Sequence, residues 1–272
     1  MNFNLKYLIK KIVPKKVTKT ISDTFQYYSF KGNYKNFEEI KINLTKYDSK
    51  KVIERVTNAF KISKNNSFLI DRDGELINTK NQNLQLLSIM RDLLNKHKLN
   101  CVVDFGGSLA NFYRNNMNYL KMYNIKWIVI DNKNICILGK KLIKDNNIVF
   151  LENLKKTKRY LKLRRLKPNY FLFGSSIQYL KNFEEILKEI LDLNVEVIII
   201  DRQPVLRSKS TKYSIQKTPP WAGNLNYAVK LYNSRSLINL FNKYKYYLDK
   251  IFNAFGNKFL DGDYKSYIFK KK

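Results

Sequence analysis

Five short apolar runs recur between residues 101 and 201, separated for the most part by stretches with helical periodicity. They are CVVDF at 101–105, KWIVID at 126–131, NIVFL at 147–151, YFLFG at 170–174 and VEVIIID at 195–201. The runs do not alternate cleanly between polar and apolar residues, as a strand with one wet face must. Near-continuous apolar strands are covered on both faces, and helices between them supply that cover, so a parallel sheet between helical layers is expected. Helices are expected from residue 82 to 94, from 109 to 122, from the end of the second run to about 142, and from 183 to 193. Beyond 201 a long polar loop is expected to lead to a helix at 234–242. Aromatic-rich segments at 244–252 and 264–269 then flank Asp261, Gly262 and Asp263, which reads as a terminal antiparallel hairpin.

Residues 1–78 lack this rhythm and are expected to form a helical, irregular cap on a main domain at 79–272. Within the cap a helix is expected from 49 to about 60, and the DRDG at 71–74 reads as a turn. At the start, Leu5, Leu8, Ile9, Ile12 and Val13 share one helical face, with Lys6, Lys10 and Lys11 elsewhere and Pro14 closing the segment. Such a helix docks on the protein's own body or lies on an anionic membrane. No apolar run approaches the ~18 residues that span a bilayer, and no secretory signal is recognisable. A cytoplasmic protein is expected, with membrane-peripheral contact through this helix left open.

The 272 residues are 44% hydrophobic, enough for one sizeable α/β domain with an appended segment. The net charge of +30 raises the question of a polyanionic partner. Lysines are spread along the whole chain, apart from KKTKRYLKLRR at 155–165 and the tail at 270–272, and no RNA-binding signature accompanies them. Solvated charge is the leading reading, an anionic membrane or an acidic or phosphorylated glycan the second, and nucleic acid the weakest. With Cys101 and Cys136 the two cysteines and His97 the one histidine, neither a disulfide framework nor a zinc site is expected.

The chemistry concentrates at NCVVDFGGSLA, residues 100–110. In an open parallel sheet, ligands bind beyond the carboxyl ends of the strands, where strand order reverses. Glycines there let the backbone approach a ligand, and the following helix offers free N–H groups. Asp104, Phe105, Gly106, Gly107 and Ser108 fill such a turn after the first strand. Asp131 ends the second strand 27 residues after Asp104, in the usual range for an acid that takes both ribose hydroxyls. The pair suits nucleotide-cofactor domains of several kinds, but the dinucleotide fingerprint G-x-G-x-x-G is not present.

The turn reads D-x-G-x-S-x-A. With a helix before it, five parallel strands and a C-terminal hairpin, it resembles the class I S-adenosylmethionine-dependent methyltransferases. Their usual motif is D-x-G-x-G-x-G, so Ser108 and Ala110 stand where the later glycines are found. FKGNYKNFEEI (30–40), VVDFGGSLANFY (102–113), WIVID (127–131), LFGSSIQYL (172–180), IIIDRQPV (198–205) and TKYSIQKTPP (211–220) follow in order. Together they are similar to a methyltransferase family often associated with bacterial surface-polysaccharide gene sets, over roughly residues 25–272. NYAVKLYN at 226–233 departs from that family's S-Y-P-x-W-type pattern, keeping Tyr227 but not the proline or tryptophan.

The resemblance implies a Rossmann-like, mostly parallel sheet of seven strands with a C-terminal antiparallel hairpin, and S-adenosylmethionine as cofactor. It implies that Asp104, Phe105, Gly106, Gly107 and Ser108 shape the methionine-moiety pocket and that Asp131 holds the ribose. Asn132 and the end of the third strand around Leu151 and Glu152 would flank the adenine. Ser175 and Ser176 fall where cofactor and acceptor meet, and Gln178, Tyr213, Gln216 and Tyr227 are candidate acceptor-binding residues. A hydroxyl acceptor benefits from a base; Asp201 is the candidate by position, with Arg202 beside it. Plainer roles exist for several of them, since Asp104, Asp131, Ser175 and Ser176 can cap helices and Asp201 and Arg202 can form an ion pair. His97 lies at the wrong end of the sheet for chemistry. The expected activity is O-methylation of a surface glycan or a nucleotide-sugar-type precursor, against a non-catalytic binding subunit of a glycan-assembly system or a basic RNA methyltransferase.

Overall fold

A computed structural model describes residues 29–78, 83–208, 210–218, 223–254, 259 and 261–272. The amphipathic helix expected at 5–13 lies outside the described residues. The described chain opens with strand β1 (Ser29–Tyr34), helix α1 (Lys50–Lys64) and the hairpin of β2 (Leu69–Arg72) and β3 (Glu75–Asn78). Helix α2 (Leu84–Leu94) leads into β4 (Asn100–Phe105), the short helices α3 (Asn111–Asn115) and α4 (Met117–Leu120), β5 (Ile125–Ile130), α5 (Lys133–Leu142) and β6 (Ile148–Leu151). Helix α6 (Leu154–Arg164), β7 (Tyr170–Gly174), α7 (Phe183–Leu191) and β8 (Val197–Leu206) follow. The chain ends with β9 (Lys212–Lys217), β10 (Asn226–Asn233), α8 (Ser234–Lys243), β11 (Tyr246–Asn253) and β12 (Gly262–Lys271).

Seven strands lie side by side in the order β6-β5-β4-β7-β8-β12-β11. The first five are mutually parallel, and β12 runs antiparallel to both β8 and β11. This is the Rossmann-like sheet with a terminal hairpin that the sequence led one to expect. From β4 the chain moves outward through β5 and β6, then returns to lay β7 and β8 on the other flank. Strand order therefore reverses between β4 and β7, and a crevice opens there at the carboxyl ends.

Both faces of the sheet are covered, which is why its strands are apolar at successive positions. Val103, Ile128, Phe171, Ile198 and Phe269 face one layer, where α6, α7 and α8 contribute Leu161, Leu187 and Phe241. Their neighbours Val102, Trp127, Leu172, Ile199 and Ile268 face the other, packed on Leu86, Met90 and Leu93 of α2 and on Cys136 of α5. Asparagine starts several of the helices: the side chains of Asn83, Asn132, Asn153 and Asn233 each accept a backbone N–H from the first turn.

The structure departs from the sequence reading between 202 and 233, where a long polar loop was expected. β8 continues to Leu206, and β9 and β10 follow it. Asp201 and Arg202 together oppose Ser266 of β12, a bulge that breaks the apolar pattern without ending the strand. Pro204 is tolerated because pairing with β10 begins only at Val205. β10 then alternates, burying Tyr227, Val229 and Leu231. The charged run at 155–165 falls largely within α6, which buries Leu154, Thr157 and Leu161 on one side. The helix expected over 109–122 breaks at Asn116, whose side chain donates to the Phe112 carbonyl instead of continuing the helix. The N-terminal stretch holds more strand than expected, since β1 pairs with β9 and thereby joins the three-stranded extension β1-β9-β10.

Gly139 of α5 offers a test of the helix-to-sheet packing. A Cβ there would stand 2.5 Å from the ring of Phe150, itself buried in the core. In an exposed helix, Gly→Ala gains about 1 kcal/mol; here overpacking costs about 1–3 kcal/mol. Gly139→Ala is expected to lower stability in urea unfolding, and a stabilised variant would contradict this packing.

Candidate active site

The turn after β4 occupies the reversal point. Gly106 has φ +73°, and a Cβ on it would lie 2.9 Å from Cβ of Ser176, in the loop after β7. The Ser176 hydroxyl donates to the Phe105 carbonyl at 2.9 Å, stitching the two loops together rather than capping a helix. Ser108 and Ala110, which stand where the related motif has glycines, have φ 50° and 55°. The loop thus keeps a left-handed backbone although its side chains are not glycine, at roughly 1–2 kcal/mol per residue. Ser175 (φ 57°), just past β7, and Arg202 (φ 53°), in the bulge of β8, repeat that strain nearby. Strain gathered around one crevice is a mark of a functional site.

Asp104 does not cap the following helix. Its carboxylate turns under its own loop, accepts a hydrogen bond from Trp127 Nε1 at 3.1 Å, and would lie 2.4 Å from a Cβ on Gly107. Burial pushes its pKa up to about 7, against the lowering effect of the indole bond. Asp131 is also raised, to about 6, chiefly by burial. Its Oδ2 accepts from Ser108 N at 2.9 Å and its Oδ1 from Asn132 N at 2.7 Å, while Asn132 itself caps α5. Asp201 accepts from Ser266 Oγ at 2.7 Å and Asn83 Nδ2 at 2.8 Å, with Arg202 Nε 3.4 Å away.

Three adjoining cavities meet at Gly106. The central one, about 240 Å³, runs from Phe105, Ser108, Asp131 and Asn132 past Ser175, Ser176 and Arg202 to a far wall built by the cap and the strand extension. A second, about 80 Å³, lies between Asp104, Gly107, Asn111 and Asp201. A third, about 400 Å³, opens between Asn132, Glu152 and Leu154.

Most residues singled out in the sequence line these spaces; Leu151, Gln178 and Tyr213 do not. Gln178 is buried and turns back, donating to the Ser175 carbonyl at 2.8 Å, so it braces the wall from behind. Along β9, Gln216 reaches the cavity; Tyr213, three positions earlier, falls on the opposite face and packs edge-on against Phe37. Asp201 reaches only the small chamber.

Of the far wall, the sequence pointed to Gln216 and Tyr227 but not to Tyr47, Arg55, Asp73 or Tyr179. Tyr47 stacks on Tyr227 with centroids 4.3 Å apart, and Tyr179 packs edge-on against both and donates to Gln216 Oε1 at 2.6 Å. Asp73 sits at the tip of the β2–β3 hairpin and lines both the central and the small cavity. Burial raises its pKa, and Arg202 and Arg72 oppose that rise. One signal for the wall was available: Val52, Arg55, Val56 and Ala59 follow helical spacing, so an arginine interrupts the apolar stripe of α1. Among the described residues no group of three or more His, Cys, Asp or Glu is placed to hold a metal ion, and no helix is long and apolar enough to cross a membrane.

No family model matches the chain, and no curated protein matches it in sequence. Solved structures resemble it in fold. The methyltransferase CcbJ of Streptomyces caelestis is 10% identical, with 67% of this chain and 88% of that one covered and a TM-score of 0.46. A S-adenosylmethionine-dependent methyltransferase of Methanosarcina mazei is also 10% identical, covering 67% and 96% with a TM-score of 0.49. The 1,6-didemethyltoxoflavin-N1-methyltransferase of Burkholderia thailandensis, solved with 1,6-didemethyltoxoflavin and S-adenosylhomocysteine bound, is 11% identical over 86% and 93%, with a TM-score of 0.45. All three are loose likenesses, and the sheet is defined by its own strand order.

The geometry of the turn fixes two outcomes. Ala110→Gly is expected to leave the melting temperature unchanged or higher, because relief of about 1–2 kcal/mol of strain outweighs about 1 kcal/mol of added chain entropy. Ala110→Val, branched and fully buried, is expected to cost more than about 2 kcal/mol. Equal melting temperatures for the two variants would refute the left-handed turn.

Asp104 imposes a pH dependence. Its folded-state pKa of about 7 exceeds the ordinary 3.8, so the native state holds the proton more tightly and this group favours folding as pH falls from 7 towards 4. The slope is about 1.4 kcal/mol per pH unit for one such group. Unfolding midpoints measured from pH 8 to pH 5 should gain less on acidification in Asp104→Asn than in the wild type. Parallel curves would show that the carboxyl is not perturbed.

Proposed function

We propose that the chain is an S-adenosylmethionine-dependent methyltransferase acting on a hydroxyl of a glycan or glycan precursor. The observation that carries this reading is the reversal point itself. Gly106, with no room for a side chain, and Asp131, facing two adjoining cavities, meet where β4 and β7 diverge. The residues present fit the cofactor. Asp131 would take the ribose hydroxyls, and the space between Asn132, Glu152 and Leu154 would take the adenine. The small polar chamber beside Gly107 and Asn111 suits an amino-acid end.

S-adenosylmethionine supplies a methyl group already activated on a sulfonium centre. What falls to the protein is alignment, exclusion of water and the fate of the acceptor's proton. Asp73 is the base we assign to that proton, because it lines the cavity and burial makes its carboxylate a better acceptor than an ordinary aspartate. Asp201 already accepts from Asn83 and Ser266, and we assign it to supporting Arg202. The glycan part of the reading draws on the sequence resemblance and on the tyrosine wall, whose ring faces suit sugar rings.

Titration calorimetry tests the cofactor directly. The wild type is expected to bind S-adenosylmethionine, and Asp131→Ala to bind it at least about tenfold more weakly, the loss of about 1.4 kcal/mol of hydrogen bonding. A wild type that gives neither heat nor a thermal shift with this cofactor would sink the enzymatic reading and favour a binding subunit.

A further inference from the structure

Arg55 is an unusual side chain for the wall of an apolar-sided cavity. It projects from the buried stripe of α1, between Val52 and Val56, and its Nη2 donates to the Asp73 carbonyl at 2.6 Å. Its Nε and Nη1 are out of contact with solvent and have no hydrogen-bond partner among the described residues. Unpaired buried donors on a charged group cost more than the roughly 1–3 kcal/mol of a neutral one, so their persistence calls for a partner that comes and goes. Space has been kept around this guanidinium by two turn glycines. A Cβ on Gly74 would stand 2.8 Å from Nε, and one on Gly223 would stand 3.0 Å from Nη1.

The charges nearby are otherwise committed. Arg72 pairs with Glu75 at 3.3 Å, and Arg202, whose Nε also lacks a hydrogen-bond partner, forms an ion pair with Asp201 at 3.4 Å. Three arginines and three carboxylates line the central cavity, so its formal charges balance, and what would draw an anion to this wall is the pair of open donors on Arg55. The tyrosine surface of Tyr47 and Tyr227 adjoins Arg55 in the same wall. A ring can lie on the aromatic faces while a substituent reaches the guanidinium. From this juxtaposition we infer that Arg55 is an anion-recognition residue, and that the methyl acceptor is a ring-bearing molecule carrying a carboxylate or a phosphate. The acceptor class rests on the methyltransferase reading; the anion site does not.

Calorimetry with probes matched in shape separates the two. In the presence of S-adenosylhomocysteine, 4-nitrophenyl β-D-glucuronide is expected to bind at least tenfold more tightly than 4-nitrophenyl β-D-glucoside, which carries a neutral hydroxymethyl group in place of the carboxylate. 4-Nitrophenyl phosphate, run beside them, tells a phosphate-selective site from a carboxylate-selective one. Arg55→Ala should abolish the preference for the charged probes, and Arg55→Lys should restore part of it, while both variants still bind S-adenosylmethionine and melt as cooperatively as the wild type. Equal affinity for charged and neutral probes, failure of both anionic probes to bind, or a preference that survives Arg55→Ala would overturn the proposal. Absence of S-adenosylmethionine binding alongside a preserved anion preference would overturn the methyltransferase reading and leave the anion site standing.

Discussion

A carboxylate buried beneath its own loop sets the shape of the crevice. Asp104 belongs to the strand face that packs on α2, and there the indole of Trp127 is its hydrogen-bond donor. Trp127 is in turn fully buried against the rings of Phe112 and Tyr113, so the donor cannot swing away. Exchanging water for one indole bond leaves an aspartate poorly compensated, which is why its proton is held so tightly. The reward is positional. With the carboxyl oxygens filling the space above, residue 107 has to be glycine, and the chain rises to put Ser108 N on Asp131. The left-handed turns at Ser108 and Ala110 follow from that path rather than from their own preferences.

The bulge at Asp201 and Arg202 does comparable work on the other flank. By placing two residues of β8 opposite Ser266, it points Asp201 back to Ser266 and Asn83 and brings Arg202 to the cavity wall. Asn83 also caps α2, so one side chain ties a helix start, a strand bulge and the terminal hairpin together. Asp201 therefore has a structural use for its lone pairs, and a position in the sequence could not distinguish that from catalysis.

What the sequence disclosed was what local pattern determines. The five parallel strands, the glycine turn and Asp131 were legible because apolar continuity and the strand-end acid are set within a few residues of each other. Of the far wall only Gln216 and Tyr227 were, because the rest is assembled from chain segments that meet only in three dimensions. β1, at 29–34, pairs with β9, at 212–217, and that pairing helps bring the cap to the strand extension that carries Gln216 and Tyr227. The strands β9 and β10 hid behind Arg202, Gln203 and Pro204, which read as a loop until the bulge and the late start of the β10 pairing are seen. The alternation of Tyr227, Val229 and Leu231 was in plain view, and the expected loop overrode it.

The wall and the glycine loop are mechanically joined, although they contribute to different ends of the cavity. Leu109, in the loop, is fully buried and packs in one cluster with Val52, Val56 and Phe60 of α1, Ile135 of α5 and Leu225. Arg114 adds a polar link: its Nε donates to the Leu109 carbonyl at 2.6 Å, its Nη2 pairs with Asp71 of the β2–β3 hairpin, and its guanidinium lies over the ring of Phe60. A close-packed cluster moves as a body, because voids between its members are costly. Displacing the turn at 106–110 must therefore also displace α1 and the hairpin, and with them Arg55 and Asp73. On the proposed reading, the segment that meets the cofactor and the segment that grips the acceptor rest on one packed cluster.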